Sequence, residues 1–311
     1  MHTTHRTLSH TLAALAIAGA TLTAQAPATQ DPAADLVKQG QQKMREGKLD
    51  EALASFRQAL AASPDSYQAN SQAGVVLDLM GQYAEARKYL AKAIEVTKTD
   101  QDKTRALRSM AVSYAFENNC QGATKYAGQA FDIVQAAKDA FTSGEVANEL
   151  ARICLESGDL AAAQKWYQTG YDVGLREPNI APARKDLWDF RFEHAQARLS
   201  ARRGQAAEAQ KHVAAAKTIL DKGTNPDQAS FFPYLVGYVA FYGGDHKAAL
   251  AALQQANQND PFILCLIAQA CEKLGDEAQA KEYYKKILAS NAHNPTNAFA
   301  RPLAKKKLGQ G

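Results

Sequence analysis

Beyond residue 30 the chain carries four histidines, His194, His212, His246 and His293, and four cysteines, Cys120, Cys154, Cys265 and Cys271. Metal sites gather such ligands a few residues apart. No two of these histidines lie within five residues of each other, and none stands beside a cysteine pair. The patterns H-E-x-x-H, G-x-S-x-G, G-x-x-x-x-G-K-[ST] and C-x-x-C are missing from the sequence. The sequence therefore predicts no catalytic residue, no metal and no cofactor. What recurs at helical spacing is basic and aromatic. Arg191, His194, Arg198 and Arg202 share one helical face. So do Phe231, Tyr234, Tyr238, Phe241 and Tyr242, while Arg105, Arg108, Asn148 and Arg152 form an earlier polar set. Tyr and Arg are the residue types that dominate binding hot spots. Side by side, such stretches suit an extended polypeptide that is acidic or contains aromatic residues. The competing account has several of these aromatics filling core, and the arginines forming a solvated face with Glu145, Glu156 and Glu193.

These side chains need elements to hold them. The chain has 311 residues, 46% of them hydrophobic and 22% charged, which excludes wholesale disorder. A net charge of +4 at this length is too small to call for nucleic acid. Residues 1–26 contain one formal charge, Arg6, ahead of an apolar run from Leu12 to Ala20. That is the pattern of a secretory signal peptide, too short to span a membrane. Ala24-Gln25-Ala26 and Ala18-Gly19-Ala20 are the competing cleavage sites. The expectation is an exported protein, periplasmic or extracellular, with a flexible linker over 27–32.

The remainder repeats. The turn residues Gly47, Gly81, Asn118, Gly158, Gly204, Gly244 and Gly275 are each followed five places later by alanine: Ala52, Ala86, Ala123, Ala163, Ala209, Ala249 and Ala280. Gly and Asn tolerate the left-handed backbone that ends a helix. Twelve residues before each alanine stands another tiny residue: Gly40, Gly74, Ala111, Ala151, Ala197, Gly237 and Ala268. Four after it comes a filler, among them Phe56, Leu90, Tyr167, Leu253 and Tyr284. Paired tiny residues across a turn let two antiparallel helices approach closely, and a larger side chain at either place would overpack the contact. Ser63-Pro64, Asn225-Pro226 and Asp260-Pro261, like Asp31-Pro32, each offer a capping side chain before a proline at the first helical position. No segment alternates as a strand does.

This pattern resembles the tetratricopeptide repeat, a 34-residue helix–turn–helix, best over 33–66 with Gly40, Ala52, Phe56, Ala59 and Pro64. The resemblance covers residues 33–292. It implies an all-α fold, a right-handed α-solenoid of about seven helix–turn–helix repeats, with 293–311 as a C-terminal cap. Lys305, Lys306 and Lys307 are expected to solvate that cap. Successive marker alanines are 34, 37, 40, 46, 40 and 31 apart. The longest interval contains two prolines, so an insert or hinge is expected near 174–186. In such a stack the first helices line the concave side, and the resemblance implies that this side binds peptides or partner segments. The thirteen basic, polar and aromatic residues named above fall on those helices. Family members that grip a C-terminal carboxylate use Lys and Asn where Val37 and Gln41 stand here, so that activity is not implied. The expected function is a non-catalytic scaffold for a protein partner, without nucleic acid or membrane span. The alternative is a binder of glycan or peptidoglycan fragments stacked on Tyr234 and Tyr238, or an unrecognised enzyme using the same groove. Cys120 opens the second helix of repeat three and Cys154 lies late in the first helix of repeat four, so a disulfide is geometrically allowed. Leu49, Tyr83 and Leu160 hold the place of Cys120 elsewhere, which favours a core filler instead. Cys265 and Cys271 point to different sides of one helix and should not pair.

Overall fold

Every turn residue identified from the repeat lies just past the end of one helix, and the next helix starts two residues later. A computed structural model describes residues 32–310. The segment expected to be a signal, 1–26, and 27–31 of the linker lie outside the described residues. The hairpins are α1 (Pro32–Arg45) with α2 (Leu49–Ala62), α3 (Tyr67–Met80) with α4 (Tyr83–Glu95), and α5 (Asp100–Ala115) with α6 (Cys120–Ala136). Then come α7 (Ala140–Ser157) with α8 (Leu160–Gly174), α9 (Pro182–Arg202) with α10 (Ala206–Leu220), α11 (Phe232–Tyr242) with α12 (His246–Leu253), and α13 (Pro261–Lys273) with α14 (Glu277–Leu288). A last helix, α15 (Pro295–Lys307), follows, and no strand occurs among the described residues. The fold is an α-solenoid of seven hairpins with a terminal helix.

The tiny residues do what their spacing demands. Asn118 has φ 54° and Gly158 φ 91°, both left-handed, which lets the chain reverse within a few residues. All seven marker alanines are buried. A Cβ on Gly40 would lie 2.5 Å from Phe56 Cε1, and one on Gly74 would lie 2.6 Å from Leu90 Cγ. The same holds at Gly237, 2.5 Å from Leu253 Cγ. Each filler thus occupies the space that the facing tiny residue leaves free.

First helices of successive hairpins touch one another: α1 with α3, α3 with α5, α5 with α7, α9 with α11, and α11 with α13. They form the inner layer, and the second helices lie outside it. Packing is continuous across the segment expected to be a hinge. The connection 175–181 carries the chain from α8 to α9, and Trp188 of α9 is 1% exposed. A Cβ on Gly144 of α7 or Gly174 of α8 would lie 2.4 and 2.2 Å from its indole. Residues 32 onward form a single compact unit. Cys120, first residue of α6, is disulfide-bonded to Cys154 of α7, with Cα atoms 4.7 Å apart. Cys265 and Cys271 are buried free thiols.

Two cap assignments are corrected. Ser63 closes α2 rather than opening α3, whose N-cap is Ser66, accepting from the Ala69 amide at 3.3 Å. Asn225-Pro226 opens a 3-10 turn, Pro226–Phe231, without a side-chain cap bond. Pro233 stands just beyond and has no amide proton to continue the ladder, so the α-helix begins afresh at Phe232. Asp260 caps α13 as expected, accepting from the Phe262 amide at 2.8 Å.

The C-terminal segment does more than cover the last hairpin. It packs on α13 and α14 and also reaches α5 and α7 on the inner layer. Asn291 donates to the Met44 carbonyl at 2.8 Å, and His293 Nε2 lies 2.8 Å from Asp78 Oδ2. The other Asp78 oxygen accepts from Ser113 Oγ at 2.8 Å. Buried Arg301 donates to the carbonyls of Leu79 at 2.8 Å, Leu288 at 3.1 Å and Ser290 at 2.8 Å. Lys305 donates to the Met80 carbonyl at 2.8 Å. Basic groups thus satisfy the free carbonyls at the end of α3, where the helix dipole favours them. Of the three lysines expected to solvate the cap, Lys306 and Lys307 are exposed, and only Lys305 is turned inward. Lys305 is half-buried, burial and then Arg301 lower its pKa, and Lys307 pairs with Glu272 at 2.7 Å.

Candidate functional site

Where α15 stops covering the inner layer, a cavity of about 460 Å³ opens. Its walls come from α5, α7, Tyr167 of α8, α9, the 3-10 turn and α11, with the start of α13 and Pro295 and Thr296 of α15 closing it. Helical spacing delivers the side chains. Asn148, Arg152 and Glu156 recur every four residues along α7, and His194, Arg198 and Arg202 do so along α9.

The rim is electrically paired. Arg108 holds Glu149 through two bonds, of 2.6 and 3.2 Å, and Arg191 reaches Glu145 at 3.4 Å. The layer beneath the lining residues, which serves as the floor, is paired too. Glu156 has a side chain 3% exposed and accepts from Arg202 at 3.0 Å and from the Tyr238 hydroxyl at 3.3 Å. Arg202 also lies over the Tyr242 ring, 4.8 Å from its centre.

Between rim and floor the pairing is incomplete. Arg198, 5% exposed, donates Nη2 to the Tyr167 hydroxyl at 3.0 Å and Nε to its own helix at the His194 carbonyl, 3.4 Å away. Its Nη1 is buried and has no hydrogen-bond partner among the described residues. The Arg152 guanidinium lies over Phe262 and Tyr234, at 5.0 and 5.3 Å. Its Nε is 3.6 Å from Glu156, beyond hydrogen-bond reach, and both Nε and Nη2 are buried without a partner among the described residues. His194 Nε2 and the Tyr234 hydroxyl share that condition. Burial, reinforced by Arg198 and Arg152, pulls the His194 pKa well below 6.5, so the ring is neutral at pH 7. Burial raises the Tyr234 pKa, keeping the phenol protonated. Burial opposes the charge on Arg152, yet the Glu156 and Asp260 carboxylates outweigh it and hold the guanidinium charged.

Of the residues singled out in the sequence, Arg108, Asn148, Arg152, Arg191, His194, Arg198, Phe231 and Tyr234 line this cavity. Arg105 instead lies on an exposed part of α5, 3.6 Å from Asp102. Arg202 and Tyr238 form the floor with Glu156, and Phe241 and Tyr242 pack beside the core of the last hairpins. Tyr238 is fully buried, and Tyr234 is 4% exposed, so neither ring offers a free face for a sugar to stack on. Phe231, 49% exposed, is the aromatic open to solvent. Sequence reasoning missed Tyr167 and Asp260 as members of the site. Tyr167 was a repeat filler whose hydroxyl was the unused signal, and Asp260 was recognised only as a cap. Among the described residues, no group of three or more His, Cys, Asp or Glu is arranged to hold a metal ion. No helix of the described residues is long and apolar enough to cross a membrane.

Profiles of the tetratricopeptide repeat match residues 43–110 and 263–294. No curated protein matches the chain significantly. Among solved structures, a tetratricopeptide repeat protein from Parabacteroides merdae is similar, with a TM-score of 0.52 and 13% identity over 90% of this chain and 98% of that one. The apo form of RapI gives a TM-score of 0.54 and 14% identity over 90% of this chain and 99% of that one. A Rap protein complexed with competence and sporulation factor gives 0.51 and 12% over 90% and 76%. At such identities the likeness concerns the fold.

Proposed function

Because the chain belongs to the tetratricopeptide repeat family, we propose that it is a non-catalytic scaffold that holds a polypeptide partner on its concave face, between α5 and α13. The observation that carries this reading is the 460 Å³ cavity, where basic groups from three inner helices meet an exposed phenylalanine. A cavity of this size lies in the range that seats a side chain or small ligand. Phe231 at its mouth supplies the apolar contact, and the Arg108 and Arg191 pairs form a polar rim. The front of the inner layer is covered by α15, so the partner is expected to engage the rear hairpins only. A Rap protein in the similar fold is complexed with competence and sporulation factor, which is a property of that protein.

The partner is expected outside the cytoplasm. The apolar run from Leu12 to Ala20 supports export, and the disulfide between Cys120 and Cys154 suits an oxidising compartment. The test is site-specific photocrosslinking in the native host, with the crosslinker at Phe231 or at Lys165 on the exposed face of α8. Polypeptide adducts at Phe231 and none at Lys165 support the reading. Equal adducts at both sites, or none at either, overturn it.

A further inference from the structure

We propose that Arg152 and Arg198, with His194 and Tyr234, form a cradle for a single carboxylate, supplied by an acidic side chain of the bound polypeptide. The proposal rests on the scaffold reading for the source of the carboxylate. The cradle itself rests on side chains alone.

The two guanidiniums line the same cavity and repel one another, and Arg198 is 5% exposed. Burying a charge is costly unless it is paired, and like charges placed together add to that cost. Within the fold Arg152 meets Glu156 at 3.6 Å and the Phe262 and Tyr234 rings, and Arg198 bonds the Tyr167 hydroxyl and the His194 carbonyl, which leaves further donors of both unused. The Arg152 place in the repeat needs no charge, and Glu156 is already satisfied by Arg202 and Tyr238. The donors left over are buried Arg152 Nε and Nη2, Arg198 Nη1 and the Tyr234 hydroxyl, with His194 Nε2 as a fifth polar group. A fork of guanidinium N–H groups is the geometry that receives two carboxylate oxygens.

The charge count selects a monoanion. The rim pairs cancel, His194 is neutral, and the tyrosines Tyr167, Tyr234, Tyr238 and Tyr242 keep their protons because burial raises each pKa. What remains is Arg152, Arg198 and Arg202 against Glu156 and Asp260. One positive charge is left, and one carboxylate closes it. A phosphate dianion would leave a negative charge buried beside Asp260. Phe190 and Phe231 on the cavity wall then meet the apolar part of the same segment.

The probes are N-acetyl-glutamic acid amide, its neutral glutamine analogue, inorganic phosphate, and the blocked pentapeptide Ac-Ala-Ala-Glu-Ala-Ala-NH2. Binding to the purified chain is followed by calorimetry. The glutamate probe is expected to bind, and the glutamine analogue and phosphate to bind at least about tenfold more weakly, the ratio that loss of a charged hydrogen bond gives. Arg152→Gln and Arg198→Lys should each weaken the glutamate probe by about tenfold or more. Because unliganded Arg152 leaves two buried donors unmet and is repelled by Arg198, which offsets its 3.6 Å ion pair with Glu156, Arg152→Gln should leave the melting temperature of the free protein close to unchanged. A lowered melting temperature with unchanged probe binding would mean that Arg152 has a structural role, and would overturn the proposal, as would equal binding of the glutamate and glutamine probes. The pentapeptide should bind more tightly than the single residue. If it binds less tightly while both arginine variants still lose the single-residue probe, the cradle stands, its carboxylate comes from a small acid, and the scaffold reading fails. If neither glutamate probe binds yet Phe231 crosslinks a polypeptide, the cradle fails and the scaffold reading survives.

Discussion

Gly74 and Gly128 offer a matched pair that isolates the packing rule on which the solenoid is built. Both sit inside helices, Gly74 in α3 and Gly128 in α6. Replacement by alanine brings each the same backbone gain, about 1 kcal/mol of helix propensity. Their surroundings differ. A Cβ on Gly128 meets nothing within 4 Å. A Cβ on Gly74 meets Leu90 Cγ at 2.6 Å, Leu90 Cδ2 at 2.8 Å and the Ala86 carbonyl oxygen at 3.0 Å. Leu90 is fully buried and cannot withdraw without moving α4. Overpacking of this kind costs about 1–3 kcal/mol. Gly128→Ala should therefore stabilise the protein by up to ~1 kcal/mol, and Gly74→Ala should fall below it by about 1–3 kcal/mol. Leu90→Ala alone should cost about 2–5 kcal/mol. In that background the two nearest obstacles are gone, and Gly74→Ala should become nearly neutral. Equilibrium urea unfolding followed by circular dichroism measures all four variants, with the slope checked for constancy. Equal shifts for Gly74→Ala and Gly128→Ala, or an undiminished penalty for Gly74→Ala in the Leu90→Ala background, would refute the argument that paired tiny residues set the helix spacing.

Three further outcomes are expected. Arg301→Met removes three bonds to backbone carbonyls and should cost roughly 2–4 kcal/mol, with faster amide hydrogen exchange in α15 and the last turn of α3. The depressed His194 pKa means that the unfolded chain takes up a proton below pH 6.5 while the folded chain resists it. Stability from this residue is thus present above pH 6.5 and lost as pH falls, by up to about 1.4 kcal/mol per pH unit, and His194→Gln should flatten urea midpoints measured between pH 5 and 7. Replacing Cys120 and Cys154 by alanine opens a loop with a sequence separation of 34 and should cost about 3–4 kcal/mol in the chain-entropy account, measured by the same unfolding assay.

The hairpin phase was legible because it depends on short-range sterics. A turn that needs a left-handed residue, and a contact that admits only Gly or Ala, both leave their mark within a dozen residues of sequence. The basic and aromatic rows were legible as rows for the same reason, since helical spacing reveals a shared face. Spacing does not reveal depth. Tyr234 and Tyr238 sit one turn apart on α11, yet one borders the cavity and the other lies in its floor, because Arg202 and Glu156 come up beneath only the second. The role of α15 was illegible for a related reason. His293 and Asp78 are 215 residues apart, and Arg301 and Leu79 are 222 apart. Those meetings depend on how seven hairpin rotations accumulate, which no local pattern encodes. Ser63-Pro64 misled because Pro64 falls in the connection while Ser66, two places on, takes the cap.

The C-terminal helix α15 and the cradle answer one electrostatic problem in two ways. The inner layer places the ends of several helices near one another, together with the basic groups of α7, α9 and α15. Arg301 and Lys305 find their partners within the chain, in carbonyls at the end of α3 that water would otherwise have to solvate. Arg202 finds one in Glu156. Arg152 and Arg198 face the part of the inner layer that α15 leaves uncovered, where Arg152 reaches Glu156 only at 3.6 Å and shares it with Arg202, and Arg198 Nη1 meets no partner among the described residues. Were Arg198 required for folding, an acidic partner would be expected beside it, as Glu156 stands beside Arg202. The excess charge of Arg152 and Arg198 coincides with the opening beside Phe231, so the place where the fold leaves a charge unbalanced is also the place where an outside group can enter.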